Sequence, residues 1–158
     1  MKEKVSQIIQ KAELAVKNVL NTMVMVEAKT GKPYLKKENT SHGDISGIIG
    51  FSSPDGKNKG SMSITFTEQS AKGLVSNMLG ENFEQINKDV IDAVGELTNM
   101  ICGQFRKELV EIGLVFEGGI PSVVTGKNHS ISHVSNSAIL AIPFETPFGP
   151  MVVEICFA

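Results

Sequence analysis

The sequence predicts an α+β fold: a mainly antiparallel β-sheet covered by helices. Residues 5–23 and 87–113 space their apolar positions as amphipathic helices do. Residues 44–66 and 138–157 each read as two β-compatible runs around a turn rich in Pro and Gly. A short helical stretch, 68–79, joins the long helix between these two hairpins.

The first helix carries Val5, Ile8, Ala12, Val16, Val19 and Met23 on its apolar side and is expected to end near residues 21–23. From there to Lys37 the chain contains Gly31-Lys32-Pro33 and is expected to be irregular and extended. Asp44 to Phe51 is glycine-rich but compatible with a strand, and Pro54-Asp55-Gly56 supplies a turn. Gly60 to Phe66 alternates Met62, Ile64 and Phe66 with Ser61, Ser63 and Thr65, the pattern of a half-buried strand. Thr67 suits an N-cap and Gly80 a C′ residue, which bounds the short helix. The long helix follows, with Val90, Val94, Leu97, Ile101, Phe105 and Ile112 on its apolar side. Strand signals return at 119–125, 131–134 and 138–144, then at 151–157 after the turn Pro147-Phe148-Gly149-Pro150. Each half thus reads as a helix followed by a hairpin. That is the order of a degenerate duplication, although the halves share too little sequence to assert one.

With 158 residues there is room for one domain, spanning 1–158. Hydrophobic residues make up 41% and charged residues 20%, which excludes a disordered chain. A formal charge of −2 leaves no basic excess to displace counterions from nucleic acid, and one Tyr and no Trp offer little for base stacking. No apolar run approaches the ~18 residues needed to span a bilayer. The opening Met-Lys-Glu-Lys-Val has no apolar signal core, so a cytoplasmic protein is expected, with Cys102 and Cys156 buried and reduced.

Several motifs fail on spacing. Gly50 and Gly56 are separated by five residues where a phosphate-binding loop needs four, and Asn58 replaces its Ser or Thr. Ser46 stands one position away from a nucleophile elbow. His129 and His133 are four apart, but in extended chain that places them ~13 Å from one another, and no third ligand stands nearby. His42 reads as a loop residue. No metal site is expected in this chain.

What remains lies on the long helix. Asp92, Glu96 and Asn99 fall at i, i+4 and i+7, within about 60° of one another on the face opposite the apolar stripe. Gly103 extends the same line and Arg106 lies close to it. Gly95 and Gly103 flank the stripe although each costs ~1 kcal/mol against alanine in an exposed helix interior. Glycines there would leave a groove for a partner's backbone. A carboxylate can pair with an ammonium group, and a carboxamide offers both a donor and an acceptor. Neither is a strong base at neutral pH, so the set suits positioning better than proton abstraction.

Asp92-x3-Glu96-x2-Asn99, followed after 21 intervening residues by Pro121, resembles the signature of the CheC/CheX/FliY phosphatases of bacterial chemotaxis. Gly31 to Tyr34, Gly43 to Gly50, Val75 to Gly80, Pro121 to Gly126, Ile142 to Thr146 and Val153 to Phe157 extend the resemblance over nearly the whole chain, towards the CheX branch. Asn18 in the first helix has Ala15 three positions before it, so the second Glu/Asn site of the CheC branch is absent.

The resemblance implies a phosphatase that removes phosphate from the phosphorylated response regulator CheY, and a homodimer. Glu96 would pair with an active-site lysine of the regulator, and Asn99 would orient the attacking water. Asp92 and Pro121 would support the site, and Mg²⁺ would sit in the regulator's own acidic pocket. A non-catalytic module that binds a response regulator, related to flagellar switch domains, is the alternative. It gives no reason for an uncharged Asn beside Glu at this spacing.

Overall fold

The structure, a computed structural model, describes residues 2–133 and 138–158. Helix α1 (Lys2–Val19) runs into a π-helical turn (Leu20–Val24) and then β1 (Lys29–Thr30), β2 (Tyr34–Lys36), β3 (Ile45–Ser52) and β4 (Lys59–Phe66). Helices α2 (Glu68–Leu79) and α3 (Lys88–Val110) follow, then β5 (Glu117–Gly118), β6 (Ser122–Thr125), β7 (Ile139–Thr146) and β8 (Gly149–Phe157). The eight described strands form one antiparallel sheet whose centre runs β7-β8-β4-β3. β1 and β2 pair with the outer side of β7, and β5 and β6 with the outer side of β3. The expected α+β class holds, and the order of helix, hairpin, two helices and hairpin is present.

The helices take the positions their end signals dictate. Thr67 caps α2 by accepting from the Ser70 amide, and Ser70 returns a bond to the Thr67 amide. Gly80, at φ 70°, closes the helix in the left-handed conformation. Asn87 caps α3 by accepting from the Val90 amide. The Asn77 side-chain amide donates to the Val24 carbonyl and ties the π-turn to α2.

One sheet face carries the main core. Register sets Ile45, Gly47, Ile49 and Phe51 of β3 beside Phe66, Ile64, Met62 and Gly60 of β4, and these beside Met151, Val153 and Ile155 of β8. Leu74 from α2, and Val94, Leu97, Ile101 and Phe105 from α3, bury against this face, while Ala12, Val16 and Leu20 of α1 join the same core. Phe51 lies across Gly60, where a Cβ would fall 2.3 Å from its ring.

The other face corrects an expectation. β4 is buried on both sides, not half-buried: Ser61, Ser63 and Thr65 are buried along with Met62 and Ile64. The cover includes Lys36 of β2 and the segment around residues 126–133, held by a polar network. Ser46 bonds both Thr65 and His129 at 2.6 Å, and His129 Nδ1 donates to the Gly126 carbonyl. His133 bonds Ser61 at 2.8 Å and Glu154 at 3.1 Å, while Lys36 pairs with Glu154 at 2.5 Å. The serines and threonines that signal a solvent face are thus hydrogen-bonded inside the protein. His129 bonds to β3, His133 bonds to β4 and β8, and His42 is exposed near Glu38.

Two further expectations need correction. The stretch to Lys37 is not wholly irregular, because β1 and β2 pair with β7. They are only two and three residues long and are broken at Gly31-Lys32-Pro33, too short for alternation to show. No strand covers 131–133, where the Ile131 amide donates to Asn39 and Ser130 bridges Thr40; Val134 lies outside the described residues. Cys102 and Cys156 are buried and form no disulfide, and burial pushes the Cys102 thiol up, partly offset by Arg106. Among the described residues no helix is long and apolar enough to cross a membrane.

Candidate functional site

α3 lies across the β3–β6 side of the sheet, and its seat is set by a glycine. A Cβ on Gly47 would fall 1.8 Å from Thr98 Oγ1 and 2.8 Å from Thr98 Cβ, so the helix rests directly on the strand. Thr98 is fully buried and its hydroxyl donates to the Val94 carbonyl at 2.7 Å. With Thr98 and Leu97 facing the sheet, the 100° step per residue turns Asn99, Glu96 and Asp92 outward, and all three are exposed.

The opposite wall comes from β6. It pairs with β3 in the register Gly47↔Val123 and Ile48↔Ser122, which brings Val123 under α3 and leaves Pro121 at the strand's entrance. Pro121 lacks an amide hydrogen, which costs nothing at the start of an edge strand and fixes its own φ. Gly95 is buried where α3 meets β6, and a Cβ there would lie 3.4 Å from Val123 Cγ2.

The result is an open groove of about 470 Å³ lined by Ile91, Asp92, Gly95, Glu96, Asn99, Pro121 and Val123. Five of the six residues singled out in the sequence meet there. Gly103 does not. It sits one turn further along α3, where a Cβ would lie 3.8 Å from the Arg106 guanidinium, and Arg106 in turn packs over Gly118. The expectation that both glycines open one groove therefore holds for Gly95 alone.

Ile91 and Val123, which form the groove's apolar floor, are not distinguished in the sequence. Ile91 is one turn before Gly95 and eight residues before Asn99, so helical spacing was a usable signal for it; Val123 had none, because its place depends on pairing with a strand far away in the chain. Gly47 had a signal, since a glycine inside a strand marks close approach of another backbone or side chain.

The lining holds two carboxylates and no cation. Among the described residues, the side chains of Asp92, Glu96 and Asn99 make no hydrogen bond or ion pair with the rest of the chain. Glu96 and Asn99 lie three residues apart, ~5–6 Å between Cβ atoms. An unpartnered carboxylate and an unpartnered carboxamide on a fixed helix, beside a glycine that leaves space, can receive an ammonium group and hold a water at once. They offer no nucleophile of their own.

The family model described as Chemotaxis phosphatase CheX matches residues 45–145 of this chain. A CheY-P phosphatase CheX from Thermotoga maritima is 28% identical over 130 residues, covering 82% of this chain and 81% of that protein. The crystal structure of a chemotaxis protein CheX from Desulfovibrio desulfuricans is 44% identical, with a TM-score of 0.87 over 96% of this chain and 99% of that one. A CheX–CheY complex with BeF3 and Mg²⁺ from Borrelia burgdorferi is similar at 28% identity, with a TM-score of 0.79 over 94% and 96% of the two chains.

Proposed function

The chain belongs to the CheX family of chemotaxis phosphatases, and on that footing we propose that it hydrolyses the aspartyl phosphate of a phosphorylated CheY-type response regulator. The observation that carries this reading is the single groove in which Asp92, Glu96, Asn99 and Pro121 meet, with the acid and the amide exposed and unpartnered.

An acyl phosphate is already activated, and its regulator contributes a lysine. Mg²⁺, held in the regulator's own pocket, supplies charge stabilisation when bound. What this chain adds is position. Glu96 pairs with the regulator's lysine and fixes the approach of α3. The Asn99 carboxamide oxygen accepts a hydrogen bond from a water and holds it in line with the phosphorus. Water oxygen bonds to phosphorus as the bond to the aspartate oxygen breaks, which releases inorganic phosphate and a free carboxylate. Asp92 and Pro121 shape the groove and take no part in bond making. Gly95 keeps the wall low enough for the regulator to approach.

The relatives' chemistry and the absence of a membrane-spanning helix among the described residues support a cytoplasmic place for this reaction. The family resemblance also supports a homodimer. Light scattering should then give twice the 17.0 kDa chain mass, and a monomer would remove that part of the proposal.

The deciding experiment follows phosphate release from a phosphorylated CheY-type regulator with this protein in substoichiometric amount. Repeated turnover is expected. An effect that saturates at equal stoichiometry would mark a binding module and overturn the reading.

A further inference from the structure

Gly103 and Arg106 lie along the helix line that carries Asp92, Glu96 and Asn99, yet positioning a water gives neither of them a task. Long side chains on an α-helix lean toward its N-terminus, and Arg106 does so: its Nη2 lies 3.8 Å from the point where a Gly103 Cβ would stand. Gly103 is one turn, about 6 Å of helix rise, from Asn99. The guanidinium also lies over Gly118 of β5, where a Cβ would fall 2.7 Å from Nη2 and 3.0 Å from Nε. Two glycines, one on the helix and one on the strand, leave the room that it occupies.

The charge of this arginine has no counterpart in the chain. Its Nε is buried without a hydrogen-bond partner, which costs stability unless something else is gained. Among the described residues no carboxylate forms an ion pair with Arg106, and the Cys102 thiol beside it is a weak acceptor. The groove one turn away has the opposite imbalance. Its lining holds Asp92 and Glu96 and no cation, although the substrate brings a phosphoryl group with about two negative charges at neutral pH. A guanidinium is permanently charged, and its planar fork of donors matches phosphoryl oxygens.

We propose that Arg106 is the residue by which this surface recognises the phosphoryl group: with the regulator docked, its terminal nitrogens donate to phosphoryl oxygens. The inference rests on the phosphatase reading and adds a binding residue to it. The space over Gly103 lets the guanidinium extend along α3 toward Asn99. Glu96 pairs with a lysine that the regulator carries whether or not it is phosphorylated, so that contact cannot tell the two forms apart. Arg106 can, because its partner exists only in the phosphorylated form.

The test is the affinity of this protein for an Mg²⁺-loaded CheY-type regulator with and without beryllofluoride, which takes the place of the phosphoryl group and is not turned over. Wild type should favour the beryllofluoride form. Arg106→Gln, which keeps a stem over Gly118, should weaken binding of that form about tenfold. Binding of the form without beryllofluoride should stay within about twofold of wild type, and it serves as the control for folding. Arg106→Lys, which keeps the charge but not the fork, should fall between wild type and Arg106→Gln. Equal losses on both forms in Arg106→Gln would assign the residue to packing, and unchanged affinity for the beryllofluoride form would show that no contact is made. Either result, with Asn99→Ala inactive, overturns this inference and leaves the phosphatase reading standing. Wild-type turnover in Asn99→Ala would instead sink that reading itself.

Discussion

Gly47 of β3 lies directly beneath Thr98 of α3, so close that a β-carbon on the glycine would overlap the threonine hydroxyl at 1.8 Å. Rotating the threonine would not relieve the contact, because its own Cβ would remain at 2.8 Å. Gly47→Ala must therefore lift or turn α3, and Asn99 is the next residue along. We expect a loss of about 1–3 kcal/mol in stability, accompanied by a fall in phosphate release. Thr98→Gly in the same chain should recover part of both, a non-additivity that denaturant midpoints and turnover would show together.

Asn99 and Glu96 should separate kinetically. Asn99 is exposed and unpartnered, so Asn99→Ala leaves the fold intact while removing the group that holds the water. By comparison with other single fixed hydrogen-bonding groups, kcat should fall ~10²–10³-fold, about 3–4 kcal/mol. Glu96→Ala should act chiefly on KM, by on the order of tenfold, because its partner is an ammonium group at the docking surface. Equal effects of both variants on kcat alone would refute this division of labour.

Gly95 invites the opposite experiment. A methyl group there would make ordinary contact with Val123 at 3.4 Å, and a buried helical glycine carries up to ~1 kcal/mol of backbone penalty against alanine. Gly95→Ala should raise the unfolding midpoint while leaving turnover within a few-fold of wild type. Gly95→Leu should fill the groove and abolish binding of the phosphorylated regulator, measured as loss of saturable turnover.

The active face of α3 was legible because one period, 3.6 residues, governs both what is buried and what is exposed. Val90, Val94 and Leu97 declare the core side, and Asp92, Glu96 and Asn99 are left facing out. Pro121 was legible only through family likeness. Its place beside Glu96 depends on β6 pairing with β3, more than seventy positions earlier, for which no local signal exists. The same limit explains Gly103. Two glycines on one helix look equivalent in sequence, and only the sheet beneath decides that Gly95 meets Val123 while Gly103 sits under Arg106. Alternation in β4 sorted its faces correctly, yet what covers the serine face comes from Lys36 of the three-residue β2 and from residues 126–133, which carry no period at all.

That covered face makes stability depend on acid. Burial alone would push the Glu154 carboxyl up, but hydrogen bonds from His133 and Lys36 and their nearby charge outweigh it and hold it below the usual glutamate range. A carboxyl depressed in the folded state binds its proton more readily when unfolded. Its contribution is therefore complete above the ordinary glutamate value of about 4.3 and is lost as pH falls through the lower folded value. Urea midpoints should hold between pH 7 and about pH 5, then decline steadily below about pH 4. Glu154→Gln should lower the midpoint at pH 7 and flatten the acid decline, because the titrating group is gone. Glu154→Ala should cost more, about 3–5 kcal/mol, since the almost buried Lys36 and His133 then lose their hydrogen-bond acceptor as well as the counter-charge. The groove lies on the other side of the sheet, so kcat of the folded fraction at neutral pH should stay near wild type in both variants. An acid decline in Glu154→Gln as steep as in wild type would assign the effect to another carboxylate.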